Sequence, residues 1–292
     1  MIAPLDVIKI RLQLQVQSRA DATSHNSTQG SAFRGTIGTF RQILREESIT
    51  GLWKGNIPAE LLYLTYGSVQ FSVYSYISRG LEAIPAPYTL PNSATNFISG
   101  AAGGAAATTV TYPLDLLRTR FAAQGKERVY KSILDSVRHI AQHEGPTGFF
   151  RGLGAGVSQI VPYMGLFFAS YESLKPIMAS TPLPLPLGSS DAVAGVVASV
   201  LSKTAVYPLD TTRKRLQIQG PNRAKYVHRN IPTYTGVIMT LQHIWKHEGR
   251  RGMYRGLTVS LLKAAPASAV TMWTYERAMG IMLAFEAKHA ND

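Results

Sequence analysis

The 292-residue chain carries 30 Lys and Arg against 17 Asp and Glu, a formal net charge of +13, although only 16% of its residues are charged. It contains no cysteine, which excludes disulfides and thiolate metal sites. The basic charge comes without zinc-finger spacing, an RNP-like aromatic motif or a Lys/Arg block, which argues against nucleic acid as a partner.

The first predicted helix, over 4–17, opens on Pro4-Leu5-Asp6-x-x-Lys9-x-Arg11. Leu5, Ile8, Leu12 and Val16 fall near a helical period, and Asp6 and Lys9 share one face. Read from Met1, the chain shows no signal-peptide layout. Residues 18–32, rich in Ser, Thr, Asn and Gln, read as a solvated loop. A short amphipathic helix over 36–46 leads into Glu47-x-x-x-Gly51-Leu52-Trp53-Lys54-Gly55. An apolar helix of membrane-spanning length follows from 56 to about 79, with Pro58 near its start, where proline is tolerated. Glu60 is the one carboxylate in that span, and it is either solvated at the interface or directed at a protein cavity.

The pattern then returns twice. After a linker over 85–91, an apolar run over 94–112 carries Gly100-x-x-x-Gly104, a spacing that lets helix backbones approach closely in a bilayer. Pro113-Leu114-Asp115-x-x-Arg118-x-Arg120 follows, then an amphipathic helix over 130–143 and Glu144-x-x-x-Gly148-Phe149-Phe150-Arg151-Gly152. A second membrane-length helix, about 155–175, ends in Tyr171-Glu172-x-x-Lys175. Beyond the Pro-rich stretch 182–186, the apolar run 189–207 is interrupted by Lys203 and leads to Pro208-Leu209-Asp210-x-x-Arg213-x-Arg215. A loop over 220–233, a helix over 235–247 and Glu248-x-x-x-Gly252-Met253-Tyr254-Arg255-Gly256 come next. The last long helix, about 258–280, carries Lys263 and ends near Tyr275-Glu276.

Three units therefore divide the chain, at 1–84, 92–180 and 187–283. Proline inside a helix removes a hydrogen bond and bends the axis, so each motif places a salt-bridge-capable pair at a bend. Apolar helices with one polar face imply a water-filled interior when a bundle sits in a bilayer. In water the same pattern reads as a soluble basic helical bundle binding nucleic acid or protein partners. The proline bends, the GxxxG spacing and the long apolar faces favour the membrane. No nucleophile–base–acid arrangement and no metal-ligand cluster appear, so neither an enzyme nor a cofactor is expected.

These residues resemble the mitochondrial carrier family. Its signature is P-x-[DE]-x-x-[KR]-x-[KRQ], then an acidic–Gly run and an aromatic–basic–Gly triplet, and all three repeats match it. The resemblance implies an all-α membrane protein of the mitochondrial inner membrane. It would be a monomer of three tandem pseudosymmetric repeats, with a six-helix transmembrane bundle and three short matrix-side helices. A single central site would open alternately to either side. The resemblance further implies a matrix gate in which Asp6 pairs with Arg118, Asp115 with Arg213 and Asp210 with Lys9. It assigns cardiolipin to Trp53-Lys54-Gly55, Phe150-Arg151-Gly152 and Tyr254-Arg255-Gly256; without it, each triplet is a turn with an interfacial aromatic. The cytoplasmic gate departs from the family's [FY]-[DE]-x-x-[KR], which is complete only at Tyr171-Glu172-x-x-Lys175. Tyr74-Ser75-x-x-Ser78 and Tyr275-Glu276-x-x-Met279 leave Lys175 with Glu276 as the one available ion pair.

Ile8-Lys9-Ile10-Arg11, Leu117 to Gly125, Ser202-Lys203-Thr204 and Ser260 to Ala265 are similar to members of the family that carry thiamine pyrophosphate. The expected substrate is therefore thiamine pyrophosphate, with another phosphorylated anion, a nucleotide or coenzyme A, as the alternative. Lys203 and Lys263, the only lysines within the long apolar spans, either meet the diphosphate as point charges or cap the free carbonyls of a bent helix. Tyr66, Gln70, Gln159 and Tyr163 fall at or near mid-helix contact positions, and Glu60 is the candidate for the cationic thiazolium. About twenty apolar residues precede Pro113 and Pro208, but only three precede Pro4. The first transmembrane helix is thus expected to lack its N-terminal half, 4–17 reaching about 20 Å against a hydrocarbon core of about 30 Å.

Overall fold

The computed structural model describes residues 3–16, 35–85, 90–180, 190–228 and 231–263. The solvated loop over 18–32, the Pro-rich stretch 182–186 and nearly all of the last long helix lie outside them. No strand occurs among the described residues. In the first repeat α1 (Ala3–Leu14) and the short α2 (Gly35–Glu47) precede α3 (Asn56–Glu82). In the second, α4 (Asn92–Ala123) and α5 (Ile133–His143) precede α6 (Leu153–Ser158) and α7 (Ile160–Ser180). In the third, α8 (Ser190–Gln217), α9 (Val237–His247) and α10 (Gly249–Met253) precede α11 (Leu257–Leu262).

Pro113 lies inside α4 and Pro208 inside α8, and both helices continue through the motif. The 32 residues of α4 make a rod of about 48 Å at about 1.5 Å per residue. The second membrane-length helix, expected as one rod, is broken at Gln159 into α6 and α7. Pro162 explains the break: it has no N–H to offer the carbonyl of Ser158, four residues earlier. The first repeat has Pro58 only in the opening turn of α3, and α3 runs unbroken.

α3 packs along α4, and α7 along α8. The close backbone approach between α3 and α4 is made at Gly103, not at the predicted Gly100 and Gly104. A Cβ there would stand 3.0 Å from the Gln70 carbonyl oxygen and 3.4 Å from the Tyr74 nitrogen. Gly100 and Gly104 face Met164 and Ile160 of α7 instead. Gly103 precedes Gly104 by one residue, a turn of about 100° about the helix axis, so Gly103 meets α3 while Gly104 meets Ile160 of α7.

Among the described residues the main apolar core lies at the end where α1, α4 and α8 converge. Ile8, Leu14, Ile43, Ala122, Tyr130, Leu216, Ile218 and Val259 pack there. The long helices expose large apolar side chains along their outer faces; Leu64 is 72% and Phe71 73% exposed. Such a surface suits lipid rather than water. Among the described residues one helical stretch, Pro146–Met178, is long and apolar enough to cross a membrane on hydropathy alone. The others carry polar residues on an inner face, which lowers their average.

Candidate functional site

The three proline motifs bring their acids and bases together between helices of different repeats. Arg118 Nη2 lies 2.5 Å from Asp6, Arg213 Nη2 3.0 Å from Asp115, and Lys9 Nζ 2.7 Å from Asp210. Aromatic rings support the bases: Arg118 lies over Tyr63 at 5.2 Å, Arg213 over Tyr112 at 5.0 Å and Lys9 over Tyr207 at 5.7 Å. Tyr112 and Tyr207 precede the motif prolines, and their hydroxyls donate to the carbonyls of Arg151 and Arg255, each at 2.9 Å.

Several members of this network escaped the sequence reading. Gln13 donates to Asp210 at 3.0 Å and Gln217 to Asp115 at 2.5 Å. Their shared place two residues after Arg11 and Arg215 is a signal the sequence carried; the second repeat has Ala122 there. Lys214 left no such signal, because the equivalent residues are Ile10 and Thr119. Its buried ammonium donates to both oxygens of Asp115 and to Thr119, each at 2.9 Å, and to Gln217 at 3.0 Å.

The second base of each motif ties one repeat to the next. Arg11 forms a two-pronged pair with Glu47 at 2.5 and 2.8 Å and donates to the carbonyls of Ala122 and Gln124 at the end of α4. Arg120 likewise joins Glu144 to the carbonyls of Gln217 and Gln219, and Arg215 joins Glu248 to those of Gln13 and Gln15. The last carbonyls of a helix lack intrahelical donors, and the guanidinium forks supply them. Burial pushes the Glu47 carboxyl up, but hydrogen bonds and charge from Arg11, then Lys54, outweigh it and hold it below the ordinary carboxylate range.

The basic member of each aromatic–basic–Gly triplet joins the same clusters. Lys54 lies 2.6 Å from Glu47, Arg151 2.8 Å from Glu144 and Arg255 3.7 Å from Glu248. The glycines that follow, Gly55, Gly152 and Gly256, take φ of +82°, +85° and +80° and start the next helices without a side-chain cap. Trp53, Phe150 and Tyr254 are 46%, 41% and 37% exposed.

Beside the three ion pairs lies a cavity of about 450 Å³. Tyr66, Gln70, Gln159 and Tyr163 all line it, as do Lys203 and Lys263. Among the described residues, six cations (Lys9, Arg118, Lys203, Arg213, Lys214 and Lys263) meet three carboxylates (Asp6, Asp115 and Asp210) on its wall. Lys263 Nζ is 2.6 Å from Asp6, so Asp6 holds two cations, as Asp115 does. Lys203 makes one long bond, 3.3 Å, to the carbonyl of Ser260. Glu60 is a correction: it is exposed and lines a different cavity, with Trp53, Lys54 and Gly55. Leu62, Tyr66 and Gln70 reach the central cavity at successive i, i+4 positions, and Glu60, two residues before Leu62, is turned about 200° from them.

Glu172 and Lys175 are exposed on α7, Lys175 lying 5.9 Å over the ring of Tyr171. Glu276, the expected partner of Lys175, lies outside the described residues.

The family model for mitochondrial carrier proteins matches residues 1–83, 90–181 and 188–285. The chain is 82% identical over 286 residues to the mitochondrial thiamine pyrophosphate carrier 1 of Phaeosphaeria nodorum, covering 98% of this chain and 89% of that protein. It is 64% identical over 278 residues to the protein of the same name from Aspergillus oryzae, covering 95% of this chain and 87% of the relative. The corresponding protein of Aspergillus terreus is 61% identical over 291 residues, covering 100% and 90%. With its three helical repeats, each carrying the same proline motif, and with these matches along nearly its whole length, the chain belongs to the mitochondrial carrier family.

Proposed function

We propose that this chain carries thiamine pyrophosphate across the mitochondrial inner membrane by alternating access through the central cavity. The observation that carries the reading is the excess of three cations over carboxylates among the described residues of the cavity wall. A polyanion such as a diphosphate balances that excess, and Tyr66 and Tyr163 offer ring faces to the cationic thiazolium. Lys203 is the principal phosphate contact: of its three N–H donors, one makes a single long bond to a carbonyl. Lys263 is the second, shared between substrate and Asp6. Relatives named for thiamine pyrophosphate support the same substrate.

In this reading the long helices span the bilayer around a threefold pseudo-axis, with α2, α5 and α9 on the matrix side. The Asp6–Arg118, Asp115–Arg213 and Asp210–Lys9 pairs form the matrix gate. Desolvation offsets much of the attraction in such partly buried pairs, so their net strength is small enough for bound substrate to tip them. Glu172, Lys175 and Glu276 form a weaker cytoplasmic gate. The uncapped first turns after Gly55, Gly152 and Gly256 receive cardiolipin phosphate, and the protein works as a monomer.

The test is uptake into proteoliposomes by Lys203→Ala, Lys263→Ala and the double variant. A hydrogen bond to a charged group contributes about 1.5–3 kcal/mol, so each loss is expected to weaken thiamine pyrophosphate binding about tenfold or more. Thiamine monophosphate, with one phosphate fewer, should lose less. Wild-type uptake of thiamine pyrophosphate by the double variant sinks the assignment, and stronger competition by nucleotides than by thiamine pyrophosphate sinks the substrate.

A further inference from the structure

Gly100, Gly103 and Gly104 of α4 differ in what the fold asks of them. A Cβ at Gly103 would stand 3.0 Å from the Gln70 carbonyl oxygen, so packing against the α3 backbone requires a glycine there. At Gly100 a Cβ would meet the movable end of one side chain, Met164 Cε, at 2.6 Å. Gly104 is under neither constraint. It lies inside the regular helix, and a Cβ there would find Ile160 Cγ2 at 3.4 Å and the Tyr66 hydroxyl at 3.8 Å, both ordinary contacts. A helix is more stable with alanine than with glycine at such a position. Packing therefore does not call for glycine at 104, and what the residue leaves is open space.

That space belongs to the central cavity. Gly104 lines it together with Tyr66 and Gln70 of α3, Gln159, and Ile160 and Tyr163 of α7. Tyr66 and Ile160 flank the bare backbone at 104, and Gln70 lies one turn beyond Tyr66 on the same face of α3. Among the described residues, every cation and carboxylate of the cavity wall comes from α1, α4, α8 or Lys263, and none from α3, α6 or α7. The cavity thus has a charged wall and a neutral one that carries rings and amides. Neither the Gln70 nor the Gln159 amide has a hydrogen-bond partner among the described residues. Each amide sets a donor beside an acceptor.

We propose that Gly104 is a specificity-determining residue: the slot over its backbone, between Tyr66 and Ile160, takes the flat aminopyrimidine ring of the substrate, and Gln70 and Gln159 pair with the ring's amino edge. The inference rests on thiamine pyrophosphate as the substrate and concerns the end of it remote from the diphosphate. An aminopyrimidine presents an amino donor next to a ring-nitrogen acceptor, the pattern that side-chain amides read on adenine. A flat ring fits where one side chain is missing, and a β-branched side chain at 104 fills the same space. Lys203 and Lys263 hold the phosphates on the charged wall, so the two ends of the substrate are read by different helices.

Uptake of thiamine pyrophosphate into proteoliposomes by Gly104→Ala and Gly104→Val, with inorganic pyrophosphate as a competitor that has the phosphates but no ring, tests the proposal. Gly104→Val should raise KM about tenfold or more, as overfilling a packed site does, with the maximal rate retained. Inhibition by inorganic pyrophosphate should stay at the wild-type level. Gly104→Ala should raise KM less and melt in detergent at or above the wild-type temperature, which keeps the test open should the valine variant not fold. Gln159→Leu and Gln70→Leu should each raise KM about fivefold, the loss of a neutral hydrogen bond. An unchanged KM in both Gly104 variants overturns the slot, as does an equal loss of thiamine pyrophosphate and inorganic pyrophosphate, which would mark general damage to the cavity. Unchanged KM in both glutamine variants overturns the pairing. Wild-type uptake by the Lys203→Ala/Lys263→Ala variant, or stronger competition by nucleotides in the wild type, falls on the proposed function instead, because the slot is read from the ratio of variant to wild type.

Discussion

His228 lies against α1, its Nε2 3.1 Å from the carbonyl oxygen of Arg11. Burial, then the charges of Arg11, Arg215 and Arg255, push its pKa down to about 4, and the bond to the Arg11 carbonyl only partly offsets them. The neutral ring is therefore the form the fold accepts. The lowered folded value means that the unfolded chain takes up the proton first. The stabilisation is complete above the ordinary histidine value of about 6.5 and is lost as pH falls toward about 4. His228→Gln keeps an N–H donor for the carbonyl but does not titrate. Its melting temperature should fall less steeply than the wild type's between neutral pH and about pH 5, the span over which histidine takes up its proton. Parallel melting curves across that range would refute the assignment.

At the scale of the element, α3, α6 and α11 each begin at a glycine in the left-handed region. At Gly152 two constraints coincide: φ is +85°, and a Cβ would stand 2.9 Å from the Tyr112 hydroxyl and 3.1 Å from the Arg213 carbonyl. The turn therefore fixes both the start of α6 and its distance from α8. Gly152→Ala is expected to cost about 1–3 kcal/mol, the range for a non-glycine residue held in such a conformation. Gly154, two residues on, is the control, because its nearest neighbour would be Val237 at 3.7 Å, an ordinary contact. Gly154→Ala should leave the melting temperature unchanged or raise it slightly, since alanine suits a helix better than glycine. If both variants melt alike in detergent, the turn is not the constraint.

For the whole molecule, the threefold pattern matters most where it fails. Asp210 meets one lysine, whereas Asp115 meets Arg213 and Lys214, and Asp6 meets Arg118 and Lys263. Exchanging charges between paired residues should therefore work unequally. The Lys9→Asp/Asp210→Lys exchange should recover much of the transport lost in either single reversal. Asp115→Arg/Arg213→Asp should recover little, because an arginine at 115 faces the ammonium of Lys214. Adding Lys214→Met should improve that exchange, and proteoliposome uptake measures all three. Equal recovery by the two exchanges, with or without Lys214, would show that Lys214 does not govern the second junction.

The order of repeats, the three proline motifs and the helices around them were legible in the sequence, because their spacing recurs and a helix turns that spacing into a face. The ion pairs follow from the same regularity: Asp6 with Arg118, Asp115 with Arg213 and Asp210 with Lys9 occupy equivalent places on neighbouring helices. Even the break at Gln159 was written locally, in the missing N–H of Pro162. What occurs once in the chain was not legible. Lys214 has no counterpart at Ile10 or Thr119, and only the packing of α8 against α4 shows that it shares Asp115. Glu60 had the right chemistry for the cavity, but helix rotation carried it to another wall. Gly103 rather than Gly100 or Gly104 meets the α3 backbone because the rotation of α4 about its axis is set by all its neighbours together. Periodicity along a chain fixes which residues share a face; which face meets which neighbour is decided only when the helices pack.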